Sequence, residues 1–160
     1  NIIKESTLIN GVKEFLNYAD SKGVSIFYVT NRVVELKEAT KDNLIKLDLP
    51  FDQSINPLMM KGENGWGSDK TSRRELISKD YRIILMAGDQ ITDFISLDES
   101  TVSTQQRLEL SNKYRDEWGT KWFMITNPMY GKWERAIYNN IYPSSQEKAK
   151  ELRFQALDPK

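Results

Sequence analysis

Two apolar runs in the sequence end in residues that could bind a phosphate group beside a metal ion. The first run leads into Thr30, Asn31 and Arg32, and the second leads into Gly88 and Asp89. A hydroxyl followed by backbone amides suits an oxyanion, and a carboxylate suits a hard cation. The structural alternative is that Thr30 caps a helix and Asp89 opens a turn. Their joint placement modestly favours a site, because ligands bind at the carboxyl ends of parallel strands.

A second carboxylate, Asp93, follows Asp89 by four residues in the segment GDQITDF. On a turn that leads into a helix, the two carboxylates could converge on one cation, directly or through water. The alternative is a helix start whose first turn is acidic, which the helix dipole favours.

Lys70 follows a glycine-rich stretch, GENGWGSDKT. The stretch is similar to a phosphate-binding P-loop, but that motif places its Lys directly after the second Gly. Here Ser68 and Asp69 separate Gly67 from Lys70, and an acidic side chain would face the phosphate charge. We therefore reject the P-loop and retain Lys70 as a candidate cation at a helix start.

The composition of the 160 residues excludes several kinds of chemistry. The sequence contains no Cys and no His, so thiolate nucleophiles, imidazole catalysis and zinc held by either side chain are excluded. Carboxylates, lysines, hydroxyls and an oxygen-bound metal ion remain, and phosphoryl chemistry with Mg²⁺ uses these groups. Equal numbers of basic and acidic residues, 23 of each, give no indication of a nucleic-acid partner. No apolar run approaches the roughly 18 residues that a membrane-spanning helix needs, and the N-terminus does not read as a signal peptide.

Apolar segments of four to seven residues alternate with longer segments of helical periodicity. The strands are apolar throughout, which is typical of a parallel sheet covered by helices on both faces. The sequence therefore predicts an α/β fold in a single domain over residues 1–160. The predicted strands are 24–29, 55–60, 81–87 and 122–125; the predicted helices are 7–22, 33–47, 70–78, 104–118 and a tail over 131–157 with a break near Pro143.

These segments resemble the motifs of haloacid dehalogenase phosphatases. In that superfamily one strand ends in D-x-D, a second ends in Ser or Thr, a Lys begins a helix, and a further strand ends in an acidic pair. Thr30, Lys70 and Asp89 with Asp93 match the last three in order. The segments IFYVTNR, KTSRREL, GDQITDF and NPMYGKWE more specifically resemble class C (lipoprotein-type) acid phosphatases, although Gln90 stands where Asn is expected.

The resemblance implies a haloacid dehalogenase-like, Rossmann-like fold and a role for each matching residue. Thr30 would bind the phosphoryl oxygens, and Lys70 would neutralise charge on the phosphate. Mg²⁺ would be bound by Asp89 with support from Asp93. Substrate contacts are implied for four residues: Asn31, Arg32, Asn127 and Tyr130. If this is right, Thr30, Lys70 and Asp89 meet within about 10 Å, because phosphoryl transfer depends on positioning at one centre.

One motif of the superfamily is absent, because the sequence contains no D-x-D. Its first Asp would be the nucleophile, and its strand would be the central one of the sheet. We therefore expect the chain to lack that strand and to be inactive alone, with the missing segment upstream or on a partner chain.

By resemblance, the whole protein would hydrolyse phosphomonoesters, with nucleoside monophosphates as one option. It would lie at the bacterial cell surface as a lipoprotein or be secreted. The alternative is a non-catalytic phosphate-binding or interaction module that keeps the same fold.

Overall fold

The computed structural model describes residues 7–97, 102–127 and 131–157. The described strands are β1 (Tyr28–Val33), β2 (Leu58–Lys61), β3 (Met86–Gly88) and β4 (Trp122–Met124). The described helices are α1 (Val12–Ser21), α2 (Lys37–Lys46), α3 (Thr71–Asp80), α4 (Thr104–Lys113), α5 (Lys132–Ile137) and α6 (Gln146–Gln155). Strands and helices alternate as the sequence predicts. The predicted tail helix is interrupted around Pro143, since α5 ends at Ile137 and α6 begins at Gln146.

The chain groups into two compact units, residues 1–74 and 75–160, with the division inside α3. Each unit contains one two-stranded parallel sheet, β1 with β2 in the first and β3 with β4 in the second. The mixed α/β class with parallel strand pairs is confirmed. The single domain over 1–160 stays a prediction.

In the first unit, the buried strand β2 is the centre of the packing. Leu58, Met59 and Met60 are all buried, and Met60 is fully so. Beside it, Tyr28 at the start of β1 donates its hydroxyl to the Pro50 carbonyl at 2.8 Å. Burial, with a smaller contribution from the charge of Asp20, raises the pKa of Tyr28 to about 12.

In the second unit, an aromatic cluster forms the core. Ile91, Phe94 and Ile95 are buried against Trp118 and Trp122, among others. The Phe94 ring meets Trp118 edge-on at a centroid distance of 5.0 Å, a favourable arrangement of aromatic rings. Two residues of this core, Ile91 and Phe94, belong to the segment that also carries Asp89 and Asp93.

Two parts of the chain expose apolar side chains. No residue of α1 is buried, and Phe15 is 47% exposed. Phe123 and Met124 of β4 are also exposed, as is Ile84 just before β3. A two-stranded sheet offers little surface for apolar side chains to pack against, so these groups stay accessible to solvent.

Two strand boundaries differ from prediction. The run at 81–87 forms a ladder only at Met86–Gly88, because the three-residue strand β4 pairs with no more than that. The first strand begins later than predicted and continues to Val33, so that Thr30, Asn31 and Arg32 lie within β1 rather than after it.

Candidate functional site

Pairing between β1 and β2 changes register directly after Thr30. Tyr28, Val29 and Thr30 pair with consecutive residues of β2, but the next paired residue is Val33. Asn31 and Arg32 therefore bulge from the ladder, and both are exposed. The Thr30 hydroxyl accepts a hydrogen bond from the Arg32 amide at 3.2 Å. Bulges are a common means of directing side chains beside a site.

A fully buried arginine, Arg73 on α3, connects this bulge to the loop before Lys70. Its guanidinium donates to the Thr30 carbonyl at 2.7 Å and to the Asn31 side-chain oxygen at 2.8 Å. It also donates to the carbonyls of Gly67 and Asp69, each at 3.1 Å. One side chain thus bonds both the strand that carries Thr30 and the residue before Lys70.

Lys70 is half-buried at the start of α3. The preceding Asp69 accepts from the Thr71 amide at 2.7 Å, so its carboxylate caps the helix. The same loop is also bonded to β1, because the Asn31 side-chain amide donates to the Ser68 carbonyl at 2.9 Å. The two residues that exclude a P-loop, Ser68 and Asp69, thus have structural roles.

In the second unit, Asp93 organises the turn that follows β3. One of its carboxylate oxygens accepts the backbone N–H groups of Asp89 and Gln90, both at 3.0 Å. The side chain lies so close to Gly88 that a Cβ there would be 2.7 Å from the Asp93 Cγ. A side chain at position 88 would therefore displace Asp93 from the turn.

Asp89 and Asn127 meet just beyond the carboxyl ends of the paired strands β3 and β4. The Asn127 side-chain amide donates to an Asp89 carboxylate oxygen at 2.5 Å. Both residues are half-buried. A carboxylate and an amide at the ends of adjacent parallel strands occupy the place where α/β folds bind their ligands.

The oxygen atoms of Asp89 and Asp93 determine whether these residues suit Mg²⁺. Mg²⁺ is usually held by one or two carboxylates together with water and phosphate oxygens. Asp89 fits such a role, whereas an oxygen of Asp93 is already bonded by two amides. Within the described ranges, no group of three or more acidic residues forms a candidate metal cluster. The metal-binding role of Asp89 and the supporting role of Asp93 therefore both stay predictions.

The structure brings some of the sequence candidates together. Thr30, Asn31 and the loop before Lys70 are joined within the first unit, and Asp89 and Asn127 are bonded within the second. The meeting of Thr30, Lys70 and Asp89 at one centre stays a prediction, and Tyr130 lies outside the described residues. The roles of Arg32 and the other candidates in substrate binding are likewise predictions.

Sequence reasoning missed two residues. The sequence indicates Arg73 only as part of the segment KTSRREL, because a charged residue inside a helix gives no sign of burial by itself. Gln90, noted only as a departure from Asn, accepts the Lys132 amide at 3.3 Å and connects the Asp89 turn to the start of α5.

Solved structures of similar proteins are class C acid phosphatases from Bacillus anthracis. One matches with a TM-score of 0.77 and 31% identity over 92% of this chain. A second, described as having tungstate bound, matches with the same TM-score and 30% identity over 92% of this chain. This chain spans 60% of the length of each.

The family model described as HAD superfamily, subfamily IIIB (Acid phosphatase) matches residues 3–133. This is most of the 160 residues, and it includes the Thr30, Lys70 and Asp89 segments. The chain belongs to this family of haloacid dehalogenase-like acid phosphatases. The resemblance to class C acid phosphatases is thereby confirmed.

No described helix is long and apolar enough to cross a membrane.

Proposed function

We propose that this chain provides the phosphate-binding and metal-binding part of a Mg²⁺-dependent phosphomonoesterase. The observation that carries the proposal is the Asp89–Asn127 pair just beyond the carboxyl ends of β3 and β4. Family membership supports the same chemistry, and the fit of Asp89 to a hard cation supports the metal.

Each residue contributes positioning or charge to the proposed reaction. The Thr30 hydroxyl binds the phosphoryl oxygens. Lys70 supplies positive charge that stabilises the negative charge of the phosphate in the transition state. Asp89 holds Mg²⁺, with its carboxylate oriented by Asn127; the ion, when bound, neutralises phosphate charge. These contributions account for most of the catalysis in phosphoryl transfer.

The nucleophile in this proposal comes from outside these 160 residues. The sequence has no D-x-D pair, and it has no Cys or His to substitute for one. Among the described residues, each strand pairs with only one other strand, so each two-stranded sheet has edges at which a further strand could pair. We therefore expect the chain alone to be inactive and the full-length protein, with this strand, to be active.

Two finer features of the proposal depend on resemblance alone. Nucleoside monophosphates are the proposed substrates among phosphomonoesters, with Asn31, Arg32, Asn127 and Tyr130 as the proposed contacts. The proposed location is the cell surface, through a lipid anchor or by secretion.

A second candidate, a phosphate-binding module without catalysis, is favoured by the missing D-x-D motif. The two candidates differ in turnover but share an oxyanion site. Tungstate, a tetrahedral oxyanion like phosphate, is present in one of the similar structures and is a suitable probe. Binding of tungstate or phosphate without turnover in the full-length protein would favour the module.

The proposal is tested by hydrolysis of p-nitrophenyl phosphate with and without Mg²⁺ in the full-length protein. Asp89→Asn should lower kcat about 100-fold or more and weaken Mg²⁺ activation, because a metal ligand charge is lost. Asp116→Asn is the matched control, since it makes the same change at an exposed position of the same unit. Equal activity and equal metal dependence in the two variants would contradict the role of Asp89.

The 160-residue chain is assayed in parallel with the full-length protein. We expect no turnover from the chain alone. Activity that persists through repeated purification would show that the nucleophile lies within these residues.

A further inference from the structure

Arg73 is completely buried, which is unusual for a charged residue. Burying a guanidinium is costly unless its N–H groups are hydrogen-bonded. Four acceptors surround it at 2.7–3.1 Å: the carbonyls of Thr30, Gly67 and Asp69, and the side-chain oxygen of Asn31. The buried charge is therefore stabilised by oxygen atoms of the two segments that carry the candidate catalytic residues.

The shape of the guanidinium makes the connection specific. Arginine is a rigid planar group with several N–H donors in fixed directions, whereas lysine is a flexible point charge. In Arg73, one terminal nitrogen bonds the strand at Thr30, and the other bonds both Asn31 and the loop. One guanidinium therefore holds strand β1 and the loop before Lys70 together.

The bonded atoms lie beside the proposed site without being its reacting groups. Arg73 bonds the backbone carbonyl of Thr30, which leaves the hydroxyl of that residue for other contacts. It bonds the carbonyl of Asp69, one residue before Lys70. The guanidinium of the adjacent Arg74 donates to the Thr71 hydroxyl of its own helix at 2.9 Å.

We propose that Arg73 is a positioning residue of the phosphoryl-transfer site, which fixes Thr30 relative to Lys70 through strand β1 and the loop before Lys70. The inference rests on the proposed phosphatase function. It adds a residue that acts through its neighbours and does not contact the substrate.

The test compares Arg73→Lys with Arg74→Lys in the full-length protein. Both substitutions keep the charge, and Arg74 is the neighbouring arginine whose guanidinium donates to the hydroxyl of Thr71 in the same helix. Arg73→Lys should lower kcat about 100-fold, the size of effect that a misplacement of about 1 Å produces. Arg74→Lys should keep kcat within about twofold. Thermal unfolding of each variant is measured so that the assay temperature lies well below both transitions.

Two further measurements separate positioning from general stability. Hydrogen exchange in Arg73→Lys should accelerate at residues 30–32 and 67–70, with the rest of the chain unchanged. If Arg73→Lys does not fold, Asn31→Ala is followed by hydrogen exchange in the absence of substrate, because Asn31 is itself a proposed substrate contact. The substitution removes one acceptor of Arg73 and the bond to Ser68, and we expect faster exchange at residues 67–70.

The outcomes distinguish the inference from the function on which it rests. An active wild type with a defective Arg73→Lys and an unaffected Arg74→Lys supports the inference. An active wild type in which Arg73→Lys keeps kcat within twofold overturns the role of Arg73 alone, and so does unchanged exchange at residues 67–70 in Asn31→Ala when that variant is used in its place. A wild type without phosphatase activity overturns the proposed function and this inference with it.

Discussion

The backbone at Thr30 in the first unit is held by a distant residue, whereas the backbone at Asp89 in the second unit is held by a near one. The Thr30 carbonyl accepts from Arg73, which is 43 residues further along the chain. The Asp89 amide donates to Asp93, which is four residues away. The first arrangement depends on the folding of α3 against β1, and the second depends on one turn. The backbone beside a candidate residue can therefore be held by a nonlocal network or by a local motif.

Mutations in the two units should therefore affect different numbers of segments. Breaking the local turn should affect a few consecutive residues, whereas breaking the Arg73 network should affect two separate segments. The predictions below run from the largest expected effect to the smallest.

The largest effect is expected for Gly88→Ala. The added Cβ would be 2.6–2.7 Å from carbon atoms of Asp93, so the carboxylate must leave the turn. Overpacking of this kind costs about 1–3 kcal/mol, and we expect the upper part of that range in denaturant unfolding. Ala87→Gly at the exposed neighbouring position is the control for altered backbone freedom.

The clash at Gly88 can be attributed to Asp93 by a double-mutant cycle. In an Asp93→Ala background, Gly88→Ala should cost less than about 1 kcal/mol, because the group it meets has been removed. Additive costs would show that position 88 is constrained by other atoms.

Asp93→Ala by itself should cost about 2 kcal/mol, since two backbone N–H groups lose a charged acceptor. Hydrogen exchange should accelerate at residues 88–93 and nowhere else. Acceleration that extends through both strands of the second sheet would contradict the local character of this turn.

The first unit should lose stability at alkaline pH through Tyr28. Its pKa is raised to about 12, so its contribution is complete below pH 10 and is lost as the pH rises from 10 to 12. Tyr28→Phe should cost about 1 kcal/mol at neutral pH, because the bond to Pro50 is lost. The difference between wild type and variant should then shrink over pH 10–12, as followed by denaturant unfolding. A difference that stays constant over that range would exclude Tyr28 as the titrating group.

The smallest effect is expected at acidic pH in the second unit. Hydrogen bonds from Tyr138, and secondly from Arg153, lower the pKa of Glu134. Its contribution is therefore present above the ordinary carboxyl pKa and is lost as the pH falls through the lowered value. Glu134→Gln should lower Tm by about 1–2 °C at pH 7, as is typical of pairs at the surface, and by less at acid pH. A larger loss at acid pH would reverse the assigned sign.

The order of strands and helices could be predicted because it depends on local patterns. Apolar runs and helical periodicity indicated each element, and the break near Pro143 followed from the missing N–H of proline. Thr30, Lys70 and Asp89 could be proposed as candidates because residue type and position in a short motif are properties of short segments. The lengths of β1 and β3 could not be predicted, since a strand extends only as far as its partner allows.

The sequence by itself determined the available chemistry: without Cys or His, only carboxylates, hydroxyls and lysines remain to act on a phosphate. It also determined the turn at 88–93, whose donors and acceptor lie within six consecutive residues. Only the tertiary structure decided that Arg73 is buried and that Asn127 bonds Asp89 across 38 residues. The reason is that burial and long-range hydrogen bonds arise only when separate elements pack. The sequence around a polar residue is the same whether its side chain contacts water or another segment.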